Sequence, residues 1–132
     1  MNEDLFRIAE DNGIRVVSGR IPKTKSIAVP GAVCLDRALC FDRAEERTRL
    51  AHELGHNMTW AFYRRDDPPY WKRRMENRAN KWAICSIVTE EALYRAIREG
   101  HTETWDLAEY FDVTEDFIKM AMWYYHYGNL AM

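Results

Sequence analysis

The stretch RLAHELGHNMTW, residues 49–60, decides how the rest of this sequence is interpreted. It carries His52 and His56 four residues apart, with Glu53 beside the first histidine. On a helix, side chains at this spacing stand one turn apart on the same face, so both imidazoles can bind one ion. A carboxylate beside them can take a proton from a water molecule that the ion activates. This HExxH pattern predicts a metal-dependent hydrolase, whereas the alternative is a solvated polar helix face.

Helical periodicity over residues 43–63 separates the histidines from the apolar side of the predicted helix. At about 100° per residue, His52 and His56 lie opposite the apolar stripe, and Glu53 lies between the two faces. Gly55 costs a helix ~1 kcal/mol relative to alanine, so its presence predicts a close contact at that point. The apolar stripe consists of Leu50, Leu54, Met58 and Ala61.

A third protein ligand is expected, because catalytic zinc sites usually have three and keep the fourth position for water. Glu76, 20 residues after His56, lies on a second predicted helix over residues 72–88. Asn80 follows it by one turn and can accept the Nδ1–H of a histidine ligand. The alternative for Glu76 is an ion pair with a neighbouring base. Other possible ligands are Glu90, Glu91, His101 and His126.

The two motifs together resemble a known family. HELGH, residues 52–56, followed by ENRANKWA, residues 76–83, is similar to the ImmA/IrrE metallopeptidases, whose pattern is HExxH and then ExxANxFA. Trp82 stands where that pattern has phenylalanine, and Thr89 stands where the family often has proline. The positions that match the second motif are Glu76, Ala79, Asn80 and Ala83.

The resemblance implies a compact zincin-like domain of the mini-gluzincin type and a zinc-dependent endopeptidase. Family ligands for one Zn²⁺ fall on His52, His56 and Glu76, and the family's general base falls on Glu53. The implied substrate is a helix-turn-helix (XRE-type) repressor of a mobile element or stress regulon. A non-catalytic alternative is a metal-stabilised module that sequesters such a repressor without cutting it.

The remaining pattern predicts an α+β fold in one domain over residues 1–132. A helix and a small antiparallel sheet occupy residues 1–40, the catalytic helices residues 43–88, and further helices residues 90–126. Pro30 and Gly31 predict a turn between two of the strands. Strands are predicted over residues 14–19, 26–29 and 32–36, and the other helices over residues 3–11, 90–98, 103–111 and 115–126.

Composition excludes several functional classes. Nineteen Lys and Arg against 21 Asp and Glu give a formal net charge of −2, which provides no strong field for nucleic acid or an anionic membrane. No apolar run approaches the ~18 residues of a membrane span, and the acidic N-terminus does not resemble a signal peptide. Three cysteines without CxxC spacing favour free thiols. We therefore expect a cytoplasmic protein that contacts neither nucleic acid nor membrane.

Three further hypotheses concern substrate and partners. The tail over residues 106–120 has the rhythm of a helix-turn-helix, but Glu115 and Asp116 would face phosphate, so packing against the catalytic helices is favoured. The strand AVCLD, residues 32–36, could be an exposed edge that pairs with substrate, or it could be core. The basic loop over residues 64–74 could steer an acidic substrate, or it could simply be solvated. Candidates for the oxyanion donor are Tyr63, Tyr70, His101 and Tyr124.

Overall fold

The computed structural model describes residues 2–130. Within that range the strands are β1 (Arg15–Ser18), β2 (Ser26–Val29) and β3 (Ala32–Leu35). The helices are α1 (Glu3–Asp11), α2 (Arg43–Met58), α3 (Pro69–Ile87), α4 (Glu90–Arg98), α5 (Thr104–Phe111) and α6 (Glu115–Tyr127), with a short 3₁₀ turn at Arg37–Leu39. The predicted α+β class is confirmed.

The sheet packs one face on helix α2. Its strand order is β1–β3–β2, so β3 lies in the centre. Val33 and Leu35 alternate inward along β3 and are fully buried. They join Leu50 and Leu54 of α2 in one apolar core cluster. This packing places the inner face of β2 beside the polar side of α2.

The sheet is mixed rather than purely antiparallel. β2 and β3 are antiparallel, as predicted, and Gly31 in the turn between them has a φ of +83°. β1 instead runs parallel to β3, with Val16 opposite Val33. The hairpin already occupies one edge of β3, so β1 pairs with the other edge, and strand pattern alone does not reveal that direction.

The hypothesis that residues 32–36 form an exposed edge for pairing with substrate was wrong. β3 has a neighbour on both sides, and its inward side chains are core. The two edge strands are β1 and β2, and β2 is the one whose residues line the cleft beside helix α2. The core alternative for β3 is therefore the correct one.

Helix α2 begins at a well-defined cap and ends earlier than predicted. Asp42 accepts a hydrogen bond from the backbone N–H of Glu45 at 2.9 Å. The helix ends at Met58, not at residue 63, and Trp60 adopts a left-handed φ of +52°. This turn brings the backbone of Ala61 back to the last turn of the helix, where its N–H donates to the carbonyl of His56 at 2.9 Å. Ala61 is buried although it lies beyond the helix. Its apolar side chain therefore fits the helical spacing of the stripe without being part of α2.

Helix α3 crosses α2 in close contact at Gly55. A Cβ at position 55 would lie 2.3 Å from the carbonyl oxygen of Ala79. Real Cβ atoms do not approach backbone oxygens so closely, so only glycine fits at this position. The close contact that Gly55 predicted is confirmed, and Ala79 and Ala83 are the small, fully buried residues of α3 on that side.

The C-terminal helices pack against this pair. The N–H of Thr114 donates to the hydroxyl of Thr48 on α2 at 3.1 Å, and the hydroxyl of Tyr125 donates to the carbonyl of Val88 at 2.8 Å. Phe117 and Ile118 at the start of α6 are buried in the core. The predicted packing of residues 106–120 against the catalytic helices is thereby confirmed.

No helix in the described part of the chain is both long enough and apolar enough to cross a membrane. The three cysteines, Cys34, Cys40 and Cys85, are free thiols.

We predict that Gly55→Ala destabilises the fold by about 1–3 kcal/mol or more, because the new methyl group forces α2 and α3 apart. Urea unfolding followed by circular dichroism measures the change. Gly19→Ala is the matched control, since a Cβ there meets only the Cys34 Sγ at 3.7 Å, an ordinary contact. Equal stability of the two variants would contradict the tight crossing.

Candidate metal centre

Both histidines of the HExxH motif are held through Nδ1. The Nδ1 of His52 lies 2.6 Å from Oδ1 of Asn80, and the Nδ1 of His56 lies 2.6 Å from the carbonyl oxygen of Ala61. A carbonyl only accepts, so Nδ1 of His56 carries the proton, and the amide oxygen of Asn80 places the same demand on His52. Each ring therefore presents Nε2 to the same point, with a bare lone pair in the neutral state.

Glu76 meets both rings from helix α3. Its Oε1 lies 2.8 Å from Nε2 of His52, and its Oε2 lies 3.2 Å from Nε2 of His56. The two Nε2 atoms are 3.2 Å apart, and the ring planes are nearly perpendicular, at 89°. The ligand atoms of these three residues all lie within 4.8 Å of one another, so they could hold a metal ion.

The charge distribution of the cluster suits a cation. Burial opposes ionisation of Glu76, but hydrogen bonds from His52, His56 and Tyr63 outweigh it and lower the pKa of its carboxyl well below 4.5. Burial also disfavours a charged His56, yet contact with Glu76 and the Ala61 carbonyl raises its pKa above 6.5. The ionised carboxylate of Glu76 thus favours positive charge on the neighbouring imidazoles. A bound metal ion can supply that positive charge in place of protons.

Tyr63 closes one side of the centre. Its hydroxyl donates to Oε2 of Glu76 at 2.6 Å. Burial, followed by the neighbouring charges of Glu76 and Glu53, raises the pKa of the phenol well above 10. Tyr63 therefore stays protonated and remains a hydrogen-bond donor at any physiological pH.

Glu53 is buried beside the cluster and is held by the sheet. Only 7% of its surface is exposed. The hydroxyl of Ser26, the first residue of β2, donates to its Oε2 at 2.7 Å. The second carboxylate oxygen has no protein partner among the residues described, so it can accept from a molecule in the cleft.

A cleft of about 470 Å³ joins these residues. Strand β2 and the turn after α2 form its walls, and the histidines, Glu53 and Glu76 lie in it. A polar centre with a buried carboxylate, two imidazoles and a phenol in one cleft is the arrangement expected of a hydrolytic site.

The family model of the IrrE N-terminal-like domain, peptidase M78, matches residues 9–122. The chain belongs to this peptidase family. Comparisons with curated proteins and with solved structures gave no match. The matched range includes all three strands and both motif helices, and it supports the interpretation of the cluster as the metal centre of a metallopeptidase domain.

The other candidate metal ligands of this M78 domain contact other residues. Glu90 accepts from the hydroxyl of Tyr94, and Glu91 pairs with Arg95, both on helix α4. His101 pairs with Asp106 at 2.9 Å. His126 stacks edge-on against the ring of Tyr127 at 4.4 Å. None of them joins the three-residue cluster found among the described residues.

Sequence reasoning missed three contributors to the site. Ser26 and the carbonyl of Ala61 reach it from a strand and a turn, and their types and spacing carry no signal. Arg49 also lines the cleft. It precedes Glu53 by one helical turn, so helical spacing could have placed it there.

We predict that Asn80→Ala lowers the affinity for a divalent ion such as Zn²⁺ by about 10- to 100-fold, because the Nδ1–H of His52 loses its acceptor and the ring is no longer held. Competition with a chromophoric chelator measures the affinity. Asn77→Ala is the matched control, an amide on the same helix whose side chain makes no hydrogen bond within residues 2–130. The same affinity in both variants would remove Asn80 from the centre.

Proposed function

We propose that this chain is a zinc-dependent endopeptidase whose substrate is a helix-turn-helix (XRE-type) repressor of a mobile element or stress regulon. The observation that carries the proposal is the convergence of His52, His56 and Glu76 on one point, with buried Glu53 in the same cleft. Membership of the M78 peptidase family supports the reaction class. The repressor rests on the resemblance to ImmA/IrrE peptidases.

Zinc is the metal that this ligand set fits best. Two imidazoles and one carboxylate form the His₂Glu set of catalytic zinc sites, in which a fourth position stays open. When bound, zinc would polarise the scissile carbonyl and acidify a water molecule. We assign the ligand roles to His52, His56 and Glu76, and the positioning of His52 to Asn80.

Glu53 acts as the general base. Ser26 holds one oxygen of its carboxylate, so the other is directed at the cleft and can take a proton from the attacking water. The same carboxyl then delivers that proton to the leaving amine as the peptide bond breaks. Since Ser26 belongs to β2, the base is aligned with the strand along which a substrate would lie.

Tyr63 is the oxyanion donor that we favour among the four tyrosine and histidine candidates. It lines the cleft, whereas Tyr70, His101 and Tyr124 are not among the lining residues. Its raised pKa keeps the proton on the hydroxyl, which would turn from Oε2 of Glu76 to the carbonyl oxygen as negative charge develops there.

An extended substrate segment would pair with the free edge of β2. Thr24, Ser26, Ile27 and Ala28 line the cleft, so a strand added there would run past Glu53 and the metal ligands. Main-chain hydrogen bonds would bind such a segment with little regard to its sequence, and side-chain contacts would supply selectivity.

We further propose that residues 1–132 act as one domain in the cytoplasm. The free thiols favour a reducing compartment, and the repressor would be found there.

The alternative function is a metal-stabilised module that sequesters a repressor without cutting it. Exposed aromatic side chains on helices α5 and α6 favour a protein partner. Trp105 is 56% exposed, Trp123 43% and Tyr127 56%. A Glu53→Gln variant distinguishes the two functions.

We predict that the purified wild-type chain carries about one zinc ion and that Glu76→Ala loses most of it, because two histidines alone do not complete the site. Elemental mass spectrometry after dialysis measures the content. Glu91→Ala, an exposed carboxylate that pairs with Arg95 on α4, is the control and should retain the metal. Wild-type protein that binds no metal after reconstitution would overturn the proposal.

We predict that Glu53→Gln keeps its zinc but cleaves repressor at least about 100-fold more slowly, because glutamine fits the space and cannot accept a proton. Zinc-loaded protein is incubated with the XRE-type repressors of the source organism, and intact-mass spectrometry follows the products. Cleavage by wild type alone supports the enzyme. If wild type and variant relieve DNA binding by the repressor equally, without any product, the sequestering module is correct.

A further inference from the structure

Arg49 places a positive charge in the cleft of the metal centre. It lines the cleft of the metal centre and also a second cavity of about 360 Å³, which opens beside His52 towards helix α6. Within residues 2–130 it makes no ion pair. Its Nη1 donates to Oγ of Ser26 at 3.5 Å, the long limit of a hydrogen bond. Its Nε is buried without a hydrogen-bond partner.

A guanidinium in this state has unused capacity. It carries five N–H donors in a fixed fork, and a half-buried charge whose only hydrogen bond in the described residues is a long one is unfavourable. The acceptor that matches the fork is a carboxylate, which can bind through two parallel hydrogen bonds.

The acids around Arg49 make their hydrogen bonds with other groups, although the charge of Arg49 helps to lower the pKa of Glu45. Glu45, one turn before it on α2, binds Lys25 at 3.0 and 3.2 Å and the N–H of Phe41 at 2.7 Å. Glu53, one turn after it, accepts from Ser26. Asp116 lines the second cavity and would repel a carboxylate there. The cleft of the metal centre also contains Glu53 and Glu76, but there the imidazoles and a bound cation would offset their charge, so a ligand carboxylate fits better on that side of Arg49.

The distance from the reaction restricts which carboxylate this is. Four residues of helix separate Arg49 from Glu53, about 6 Å along the axis. An extended peptide advances about 3.3 Å per residue, so the carboxylate belongs to a residue one to three positions from the bond that is cut.

We infer that Arg49 is a specificity-determining residue, which binds a substrate carboxylate close to the scissile bond. The inference rests on the proposed peptidase function. Two sources share this chemistry, an Asp or Glu side chain and the C-terminal carboxylate of the peptide. The competing explanation is that Arg49 merely offsets the charges of Glu45 and Glu53, in which case its loss would change stability but not substrate preference.

The test is a cleavage profile on a proteome-derived peptide library. Zinc-loaded wild type, Arg49→Gln and Arg49→Lys are compared, with Arg98→Gln as the control for lost charge, since Arg98 is exposed and lies outside the cleft. Mass spectrometry of the products locates each cut. Asp or Glu enriched at a fixed position from the cut identifies the side chain, whereas cuts at a fixed distance from peptide C-termini identify the terminal carboxylate.

We expect wild type and Arg98→Gln to prefer one such carboxylate by about tenfold or more, the effect of one charge-assisted hydrogen bond. Arg49→Gln should lose the preference and Arg49→Lys should keep part of it. Synthetic pairs, with Glu against Gln at the selected position or a terminal acid against its amide, then measure the ratio of kcat/KM on wild type itself. That comparison holds even if an Arg49 variant fails to fold. A wild type without the preference, or an Arg49→Gln variant that retains it, overturns the inference.

A binding experiment separates this inference from the proposed function. Retention of the same library on immobilised Glu53→Gln protein is compared with retention on the Glu53→Gln, Arg49→Gln double variant. Peptides that carry the selected carboxylate should be retained by the first and lost from the second. If they are, while wild type cuts nothing, the peptidase proposal fails and the role of Arg49 stands. If wild type cuts without any carboxylate preference, the role of Arg49 fails and the peptidase stands.

Discussion

The carbonyl oxygen of Ala79 occupies the space in which any side chain at position 55 would lie, and the rest of the site depends on that contact. Because Gly55 lies between the two histidines on α2, the point of closest approach to α3 is also the point where the imidazoles leave the helix. Glu76 and Asn80 lie on either side of Ala79, so each meets a histidine ring. A wider crossing would separate the ligand atoms that now lie within 4.8 Å.

The histidines are oriented by backbone and amide oxygens rather than by one another. Trp60, in the turn after α2, has a left-handed backbone conformation. This turn brings the carbonyl of Ala61 to the ring of His56. Both rings thereby direct Nε2 at one point. Such preparation lowers the cost of ordering the ligands when a metal binds.

The sheet contributes to the chemistry through its edge. β2 supplies the hydroxyl that holds Glu53 and the lining of the cleft, while its outer edge has no strand neighbour. One short strand therefore holds the proposed base and offers the surface on which a substrate would align. Arg49, one helical turn before the proposed base, contacts Ser26 of that strand and lines the same cleft, so the proposed recognition and the proposed chemistry involve neighbouring turns of helix α2.

Local sequence patterns predicted the helices and the centre of the candidate site. Capping residues, Gly and Pro positions and helical spacing predicted α1 and α4 at their observed bounds, and the paired motifs predicted His52, Glu53, His56 and Glu76 as one cluster. These features depend on neighbours within a turn or two, which sequence spacing encodes. Three outcomes came from packing between distant elements: β1 is parallel to β3, α2 stops at Met58, and Ser26 contacts the proposed base. Those outcomes depend on which surfaces meet across the core, and residue spacing along the chain contains no record of that.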